Sequence, residues 1–287
     1  MPKYAKRKLD VTINLGTGEF GENKGSDVTL SGLRVSASYI GYATDVQGAL
    51  HLRIFGVPLA MIDQLTTIGP IMTQRRNNRI TLAAGEEGGS MSTVYEGTID
   101  SAFADFNGAP EVVFNVVALA AAFESVKAVK AQDHPGNVDA ALIMKDLADT
   151  MGFTFEPNGV SVMLTDRTFS GTAMMQVKEC AQAAQINYTV EKGILAIWPR
   201  KSYRVGEPVE ISPETGMVGY PTFSSTGLVL TTQFNPDIIL GRRVNVTSSL
   251  TVACGLWNVF SIAHILESET PNGQWFTQVN CTRMENV

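Results

Sequence analysis

The sequence predicts a mainly β fold with an α+β module set between two strand-rich regions, and three observations support it. Runs of alternating apolar and polar residues fill both ends of the chain, with the period of two expected of half-buried strands. The middle third carries two apolar stripes at helical spacing. These stripes belong to an internal echo, in which residues 138–164 and 172–198 each read as one helix followed by one β-hairpin, offset by 34 residues.

Along the chain, Leu9, Val11, Ile13 and Leu15 alternate with Asp10, Thr12 and Asn14, which marks a strand with one buried face. Similar stretches follow at 28–39, 50–55, 79–84, 93–106 and 112–119, separated by Gly- and Asn-containing turns. Six strands of modest length point to a closed or nearly closed barrel. Pro58 is placed to open a short helix over 59–65, leading into a loop at Gly69-Pro70.

In the first copy of the echo, Asn137 reads as the N-cap, and Ala140, Ile143, Leu147 and Met151 form the apolar stripe. Gly152 supplies a left-handed stop, and a hairpin turns at Pro157-Asn158-Gly159. In the second copy, Ala173, Val177, Cys180 and Ala184 form the stripe. Glu191-Lys192-Gly193 then makes the turn before Ile194, Ala196 and Trp198 alternate inward. Gly159 aligns with Gly193, Val160 with Ile194 and Ile143 with Val177. Tetratricopeptide arrays share this period, but they are helix pairs and need at least three copies. The alternative is an ordinary α+β module whose halves match because amphipathic patterns look alike. The second strand-rich region covers 228–234, 238–240, 244–248, 257–266 and 275–283, the last pair forming a hairpin around Thr270-Pro271-Asn272-Gly273. The expected domains are 1–128, 129–206 and 207–287.

The net charge of −6 is mild but uneven, since residues 207–287 carry 3 Lys/Arg against 7 Asp/Glu, a net of −4. That balance argues against a nucleic-acid grip in this part. Cys180, Cys254 and Cys281 are an odd count with no close pair, and they read as buried thiols of a reducing compartment. The basic start, Lys3, Lys6, Arg7 and Lys8, is followed by polar, strand-like sequence, so no signal peptide is assigned. The most apolar run, 112–123, is interrupted by Asn115 and falls short of the ~20 residues that a spanning helix needs. A soluble protein without stable membrane insertion is expected.

Chemical motifs fail on context. Gly16-Thr17-Gly18-Glu19-Phe20-Gly21 matches the dinucleotide fingerprint and follows a strand, but Glu22 to Asp27 are turn formers where a helix must begin. His51, His134 and His264 are far apart and lack metal-ligand spacing. Ser90 and Ser92 lack the nucleophile-elbow pattern, and adjacent Glu86 and Glu87 would point to opposite faces of a strand. Arg75-Arg76-Asn77-Asn78-Arg79 reads as a solvated turn or a salt-bridged subunit contact, and Trp198, Trp257 and Trp275 as core or interface anchors. The expected catalytic, cofactor-binding and metal-binding residues are therefore none, and no cofactor is expected.

The stretch 256–277 resembles the closing hairpin of the baseplate central hub proteins of tailed, contractile-tailed bacteriophages. The matching positions are His264, Leu266, Glu267, Pro271, Gly273, Trp275, Phe276 and Thr277. Residues 190–200, 211–223 and 232–246 are similar to the same family, as are 32–40 and 65–69, so the likeness covers nearly the whole chain. It implies a non-enzymatic structural protein, because muralytic activity in that family resides in a separate or fused lysozyme domain, and none is read in this chain. It also implies a homotrimer whose subunits each contribute two tail-tube-like β-barrels, the first over 1–128 and the second completed by 207–287. Six barrels then form a pseudo-sixfold ring that joins the sixfold tail tube to the threefold cell-puncturing spike. That ring lines the DNA channel during envelope penetration and genome ejection, and DNA passes without specific binding. The implied partners are the tail tube protein, the trimeric spike, the baseplate wedge proteins and the tape-measure protein. The implied location is the tail baseplate of the virion, assembled in the host bacterial cytoplasm. Glu267 and Glu269 are expected to face solvent or the lumen, and exposed sheet edges to be covered by flanking subunits.

Two other functions stay open on the residues alone. One is a peptidoglycan- or carbohydrate-binding module of a tail or injection apparatus, with a groove lined by Tyr188 and Trp198. The other is an enzyme using scattered carboxylates such as Asp146, Asp149 and Glu156.

Overall fold

The computed structural model describes residues 6–20, 25–66 and 77–283. These residues form eighteen strands and three α-helices, which makes the chain mainly β. They divide into two compact units. One contains Met1–Ile40, Ala49–Phe123 and His264–Phe276, and the other contains Gly41–Gly48, Glu124–Ala263 and Thr277–Val287.

The first unit is built from β1 (Arg7–Asn14), β2 (Asp27–Leu30), β3 (Val35–Tyr42), β4 (Ala49–Phe55), α1 (Leu59–Leu65), β5 (Arg79–Glu86), β6 (Met91–Asp105) and β7 (Val113–Leu119). Alternation determines the buried face: Leu9, Val11 and Ile13 of β1, Leu50, Leu52 and Ile54 of β4, and Phe114, Val116 and Ala118 of β7 all point inward. Each large aliphatic side chain so buried contributes about 1.5–3 kcal/mol. The hydrogen-bonded order runs β3-β4-β7-β6-β5-β1-β2. The expected strand at 28–39 is two strands, because Gly32, at φ 72°, turns the chain between them. The short helix has the expected bounds, with Pro58 as its N-cap. Gly69-Pro70 and Arg75-Arg76 lie outside the described residues.

Strand β6 is long, and its register slips twice, once against β5 at Leu82/Ala83 and once against β7 at Ile99/Ser101. Each slip places two consecutive residues in the core, Val94 with Tyr95 and Thr98 with Ile99, which simple alternation forbids. Tyr95 lies over Gly97 and beside Tyr39, with ring centroids 5.4 Å apart. A Cβ on Gly97 would stand 2.2 Å from the Tyr95 hydroxyl oxygen and 2.8 Å from the Leu119 carbonyl oxygen.

The second unit holds β8 (Gln132–Asp139), α2 (Ala140–Met151), β9 (Thr154–Glu156), β10 (Met163–Phe169), α3 (Ala173–Ala184), β11 (Ile186–Glu191) and β12 (Ile194–Pro199). It continues with β13 (Val209–Ile211), β14 (Met217–Ser224), β15 (Gly227–Gln233) and β16 (Arg243–Val246). Residues of β17 (Gly255–Ser268) and β18 (Trp275–Thr282) belong partly to this unit and partly to the first.

Both helices follow local chemistry. Asp139 caps α2 by accepting from the Ala141 N–H, so Asn137, the expected cap, instead sits in β8. Thr172 caps α3 through the Met175 N–H. Gly152 ends α2 in the left-handed region, and Gln185 does the same for α3. The helical echo has an offset of 33: the buried sets Ala140, Ile143, Met144, Leu147, Ala148, Met151 and Ala173, Gln176, Val177, Cys180, Ala181, Ala184 match at that spacing. Ile143 is thus equivalent to Gln176 rather than to Val177. The turns at Gly159 and Gly193 keep the spacing of 34.

The second copy is a helix followed by a hairpin, with β11 antiparallel to β12 around Lys192-Gly193. The first copy is not. Its turn at Pro157-Asn158-Gly159 forms, but β9 pairs in parallel with β12 while β10 pairs with β8 in a separate ribbon. Two strands that leave one turn for different sheets cannot be a hairpin. One core lies between the helices and β11-β12, and a second is built from β15, β16, β17 and β18. The expected strand at 238–240 is irregular, although Ile238 and Leu240 are buried in that second core.

Gly97→Ala is expected to lower stability by about 2–3 kcal/mol through overpacking, read as a fall in the denaturation midpoint. Adding Tyr95→Phe, which removes the clashing oxygen, should restore part of that loss.

Candidate functional site

The chemical candidates of the sequence do not converge. Gly16 to Gly18 form bends after β1 and open no helix. Gly16 is needed for a close approach: a Cβ there would stand 2.6 Å from the Asn77 carbonyl oxygen, and its N–H donates to Asn78 Oδ1 at 3.1 Å. His264 is buried and stacks on Tyr39 at 5.8 Å, His134 pairs with Gln132 in the β8 ribbon, and His51 is exposed on β4. Among the described residues, no three His, Cys, Asp or Glu side chains come together to hold a metal ion.

Asp146 and Asp149 lie exposed on α2, and Glu156 is held in an ion pair, so the three carboxylates share no cleft. Tyr188 and Trp198 cannot line one groove. Tyr188 pairs across the hairpin with Ile197 while Asn187 pairs with Trp198, so the two aromatic rings project from opposite faces. Both are also buried. Burial raises the Tyr188 phenol above its ordinary value, with Asp45 adding to the shift.

Hairpin β11-β12 has two buried faces. One packs on the helices, and the other presents Asn187, Thr189, Glu191, Ala196 and Trp198 to the rest of the unit. The inward alternation expected of Ile194, Ala196 and Trp198 is therefore incomplete, because Leu195 and Ile197 are buried as well. The polar groups on the second face are paired. Thr189 donates to the Tyr42 carbonyl oxygen at 3.3 Å. Arg204, only 1% exposed, donates to Glu191 Oε1 at 2.5 Å, to Glu156 Oε2 at 2.8 Å and to the Leu240 carbonyl oxygen at 3.1 Å. Burial opposes the charge on this guanidinium, but Glu191 and Glu156 outweigh it and hold its pKa above the ordinary value. The Arg204 N–H also donates to the Gly241 carbonyl oxygen, and Asn158 Oδ1 accepts from the Val205 N–H. Arg204 is thus a fastener between the helical core and the segment that enters the second β core.

The surface holds the remaining feature of note. Strand β14 is terminal in its sheet, and its Tyr220 and Phe223 are 70% and 54% exposed. The strand also contains Pro221, which has no N–H to offer, and its register with β15 slips between Val218 and Thr222. These devices block pairing of the free edge with another strand. What β14 leaves exposed is side chains, two of them aromatic. At the other terminus of the strand order, β2 has only four residues.

The fold is similar to that of the prophage MuSo2 43 kDa tail protein from Shewanella oneidensis, with a TM-score of 0.62 at 12% identity over 96% of each chain. The tail protein from Neisseria meningitidis MC58 is similar with a TM-score of 0.65 at 9% identity, again over 96% of each chain. The E. coli c3393 protein, a component of the type VI secretion system, has a TM-score of 0.54 at 8% identity over all of this chain and 76% of that one. No curated protein is significantly similar in sequence. The family model described as baseplate hub gp41 matches residues 8–280, and the chain belongs to that family.

Two predictions come from the buried groups. Arg204→Met leaves Glu191 buried without its counter-charge, and a loss of about 3–5 kcal/mol is expected in denaturant unfolding. For the cysteines, burial pushes the Cys180 and Cys281 thiols up to about 12, whereas Cys254 is only half-buried. Iodoacetamide at pH 8 should therefore label native protein at Cys254 alone and all three sites after unfolding, as counted by mass spectrometry.

Proposed function

We propose that this protein is a non-enzymatic structural subunit of a phage tail baseplate, a trimeric adaptor between the sixfold tail tube and the threefold spike. The observation that carries the reading is the match of the baseplate hub family to residues 8–280, which leaves almost none of the described chain for a separate activity. In this reading, the strands of 1–128 form one tube-like β-barrel and those of 207–287 complete a second, with 129–206 as the module between them. The separate hydrophobic cores of the helical module and of β15 to β18 support the second boundary.

Six barrels from three subunits surround the channel through which DNA passes during envelope penetration and genome ejection. The tube protein, the spike, the wedge proteins and the tape-measure protein are its partners. The location is the virion baseplate, after assembly in the host cytoplasm. A channel wall poor in cations limits phosphate contacts. Exposed acids agree with this: Glu207, Glu210, Glu214, Asp237 and Glu269 are all on the surface. Glu269 pairs with Lys6 at 2.5 Å, and half-buried Glu267 accepts from the Gln274 N–H at 2.9 Å.

Light scattering of the purified chain, alone and with a candidate spike protein, tests the reading. The expected mass of the hub component is about three times 30.9 kDa, a closed threefold assembly. A monomer in both samples counts against it. If β14 is a contact surface, Tyr220→Glu with Phe223→Glu should return the trimer to a monomer of unchanged thermal midpoint, because neither side chain supports the core.

A further inference from the structure

Within the second unit, a cavity of about 440 Å³ opens beside hairpin β11-β12. This volume lies within the range of small-ligand pockets, ~300–1,000 Å³. Its apolar lining includes Trp198 and Phe260, and its polar lining includes Asn187, Arg200, Lys201 and Asn258. No acidic residue lines it, so every charged group at this cavity is a cation at neutral pH.

Some of the polar groups here are held in position and others are without partners. Gln185, the left-handed cap of α3, accepts from Arg200 Nη1 and fixes one side of that guanidinium, while Asn187 Nδ2 donates to the Arg200 carbonyl oxygen at 3.3 Å. Arg200 is thus held in place with further N–H groups to spare. Among the described residues, the Lys201 ammonium and the Asn258 side chain have no hydrogen-bond or ionic partner, and neither does the indole N–H of Trp198. Trp198 is only 3% exposed, and its indole N–H, at the part of the ring that solvent still reaches, is free to donate to an arriving acceptor. Gly241 permits the arrangement, because a Cβ there would stand 2.8 Å from the Trp198 ring.

We infer that this cavity is a binding site for an acidic peptide segment of a partner polypeptide. A Glu or Asp carboxylate would lie between Arg200 and Lys201, with a neighbouring apolar side chain against Trp198 and Phe260. Donors and cations without acids select an oxyanion. The apolar floor selects a carboxylate attached to hydrocarbon over a free inorganic anion, which would gain nothing from Trp198 and Phe260. The site does not depend on the hub reading, since it rests on the cavity alone.

The test uses the full chain, with the blocked peptide acetyl-Leu-Glu-Leu-Glu-amide, its Gln counterpart and inorganic phosphate as probes. Binding is followed by calorimetry and by tryptophan fluorescence. Saturable binding of the Glu peptide is expected, at least tenfold weaker for the Gln peptide and at least tenfold weaker in Lys201→Glu, and reduced by salt. The fluorescence change should vanish in Trp198→Phe, which retains Trp257 and Trp275. Lys201 is exposed, so its variant should keep the wild-type thermal midpoint. No saturable binding, equal affinity for the Glu and Gln peptides, or an unaltered Lys201→Glu affinity would each overturn the proposal. Phosphate binding as tightly as the Glu peptide would do so too, by making the site one for free oxyanions.

Discussion

A strand with two buried faces has no water to satisfy its polar side chains, and β12 with its partner β11 imposes that condition on the whole second unit. One face is resolved simply, by the aliphatic stripes of α2 and α3. The other carries Thr189 and Glu191, which need partners brought from elsewhere in the chain. Tyr42 supplies one acceptor, and Arg204 supplies the cation. Because Arg204 also reaches Glu156 and the Leu240 carbonyl oxygen, satisfying one buried carboxylate fixes the path of the chain after β12 and the position of Gly241. Replacing such a network by apolar groups can be energetically neutral, so its value here lies in specifying one arrangement of the segments that meet at the guanidinium.

What was legible in the sequence was local. The alternation of β1, the bounds of α1, the stripe of α3 and the turn at Lys192-Gly193 all follow from residues within one or two turns of each other. What was not legible depended on distant partners. Strand β8 is polar on both faces and contains Pro135, so no period marks it, and it exists because β10 pairs with it. The first hairpin failed because β12 captured β9. The offset of 34 was right for the turns and wrong for the helices by one residue, because a buried Gln176 occupies the place that pattern matching gave to an aliphatic side chain. Arg204 could not be picked out either. A lone arginine in a loop looks solvated until the carboxylates that surround it, 13 and 48 residues away in sequence, are in place.

The same contrast separates function from fold. Residue types that do chemistry are present but dispersed, and several have structural occupations: His264 as a stacked ring, Glu156 as an ion-pair partner, Gly16 as a point of close approach. The features that the fold leaves unoccupied are the exposed aromatic side chains of β14 and the cationic cavity near Trp198. Membership of the baseplate hub family fits that distribution, because an assembly protein is defined by what it leaves for others to complete.

The composition of the first unit has a temporal meaning. It takes most of its strands from the first 123 residues but also needs His264–Phe276, and β17 is the hydrogen-bonded neighbour of β3. Between the two segments the ribosome must make about 140 further residues, which at roughly 5–20 residues per second takes on the order of ten seconds or more. Throughout that interval the nascent chain exposes the β3 edge, an invitation to mispairing between neighbouring polysomal chains. Translation speed and chaperone occupancy therefore become determinants of yield, and a circular permutant that begins with the returning strand would shorten the exposure.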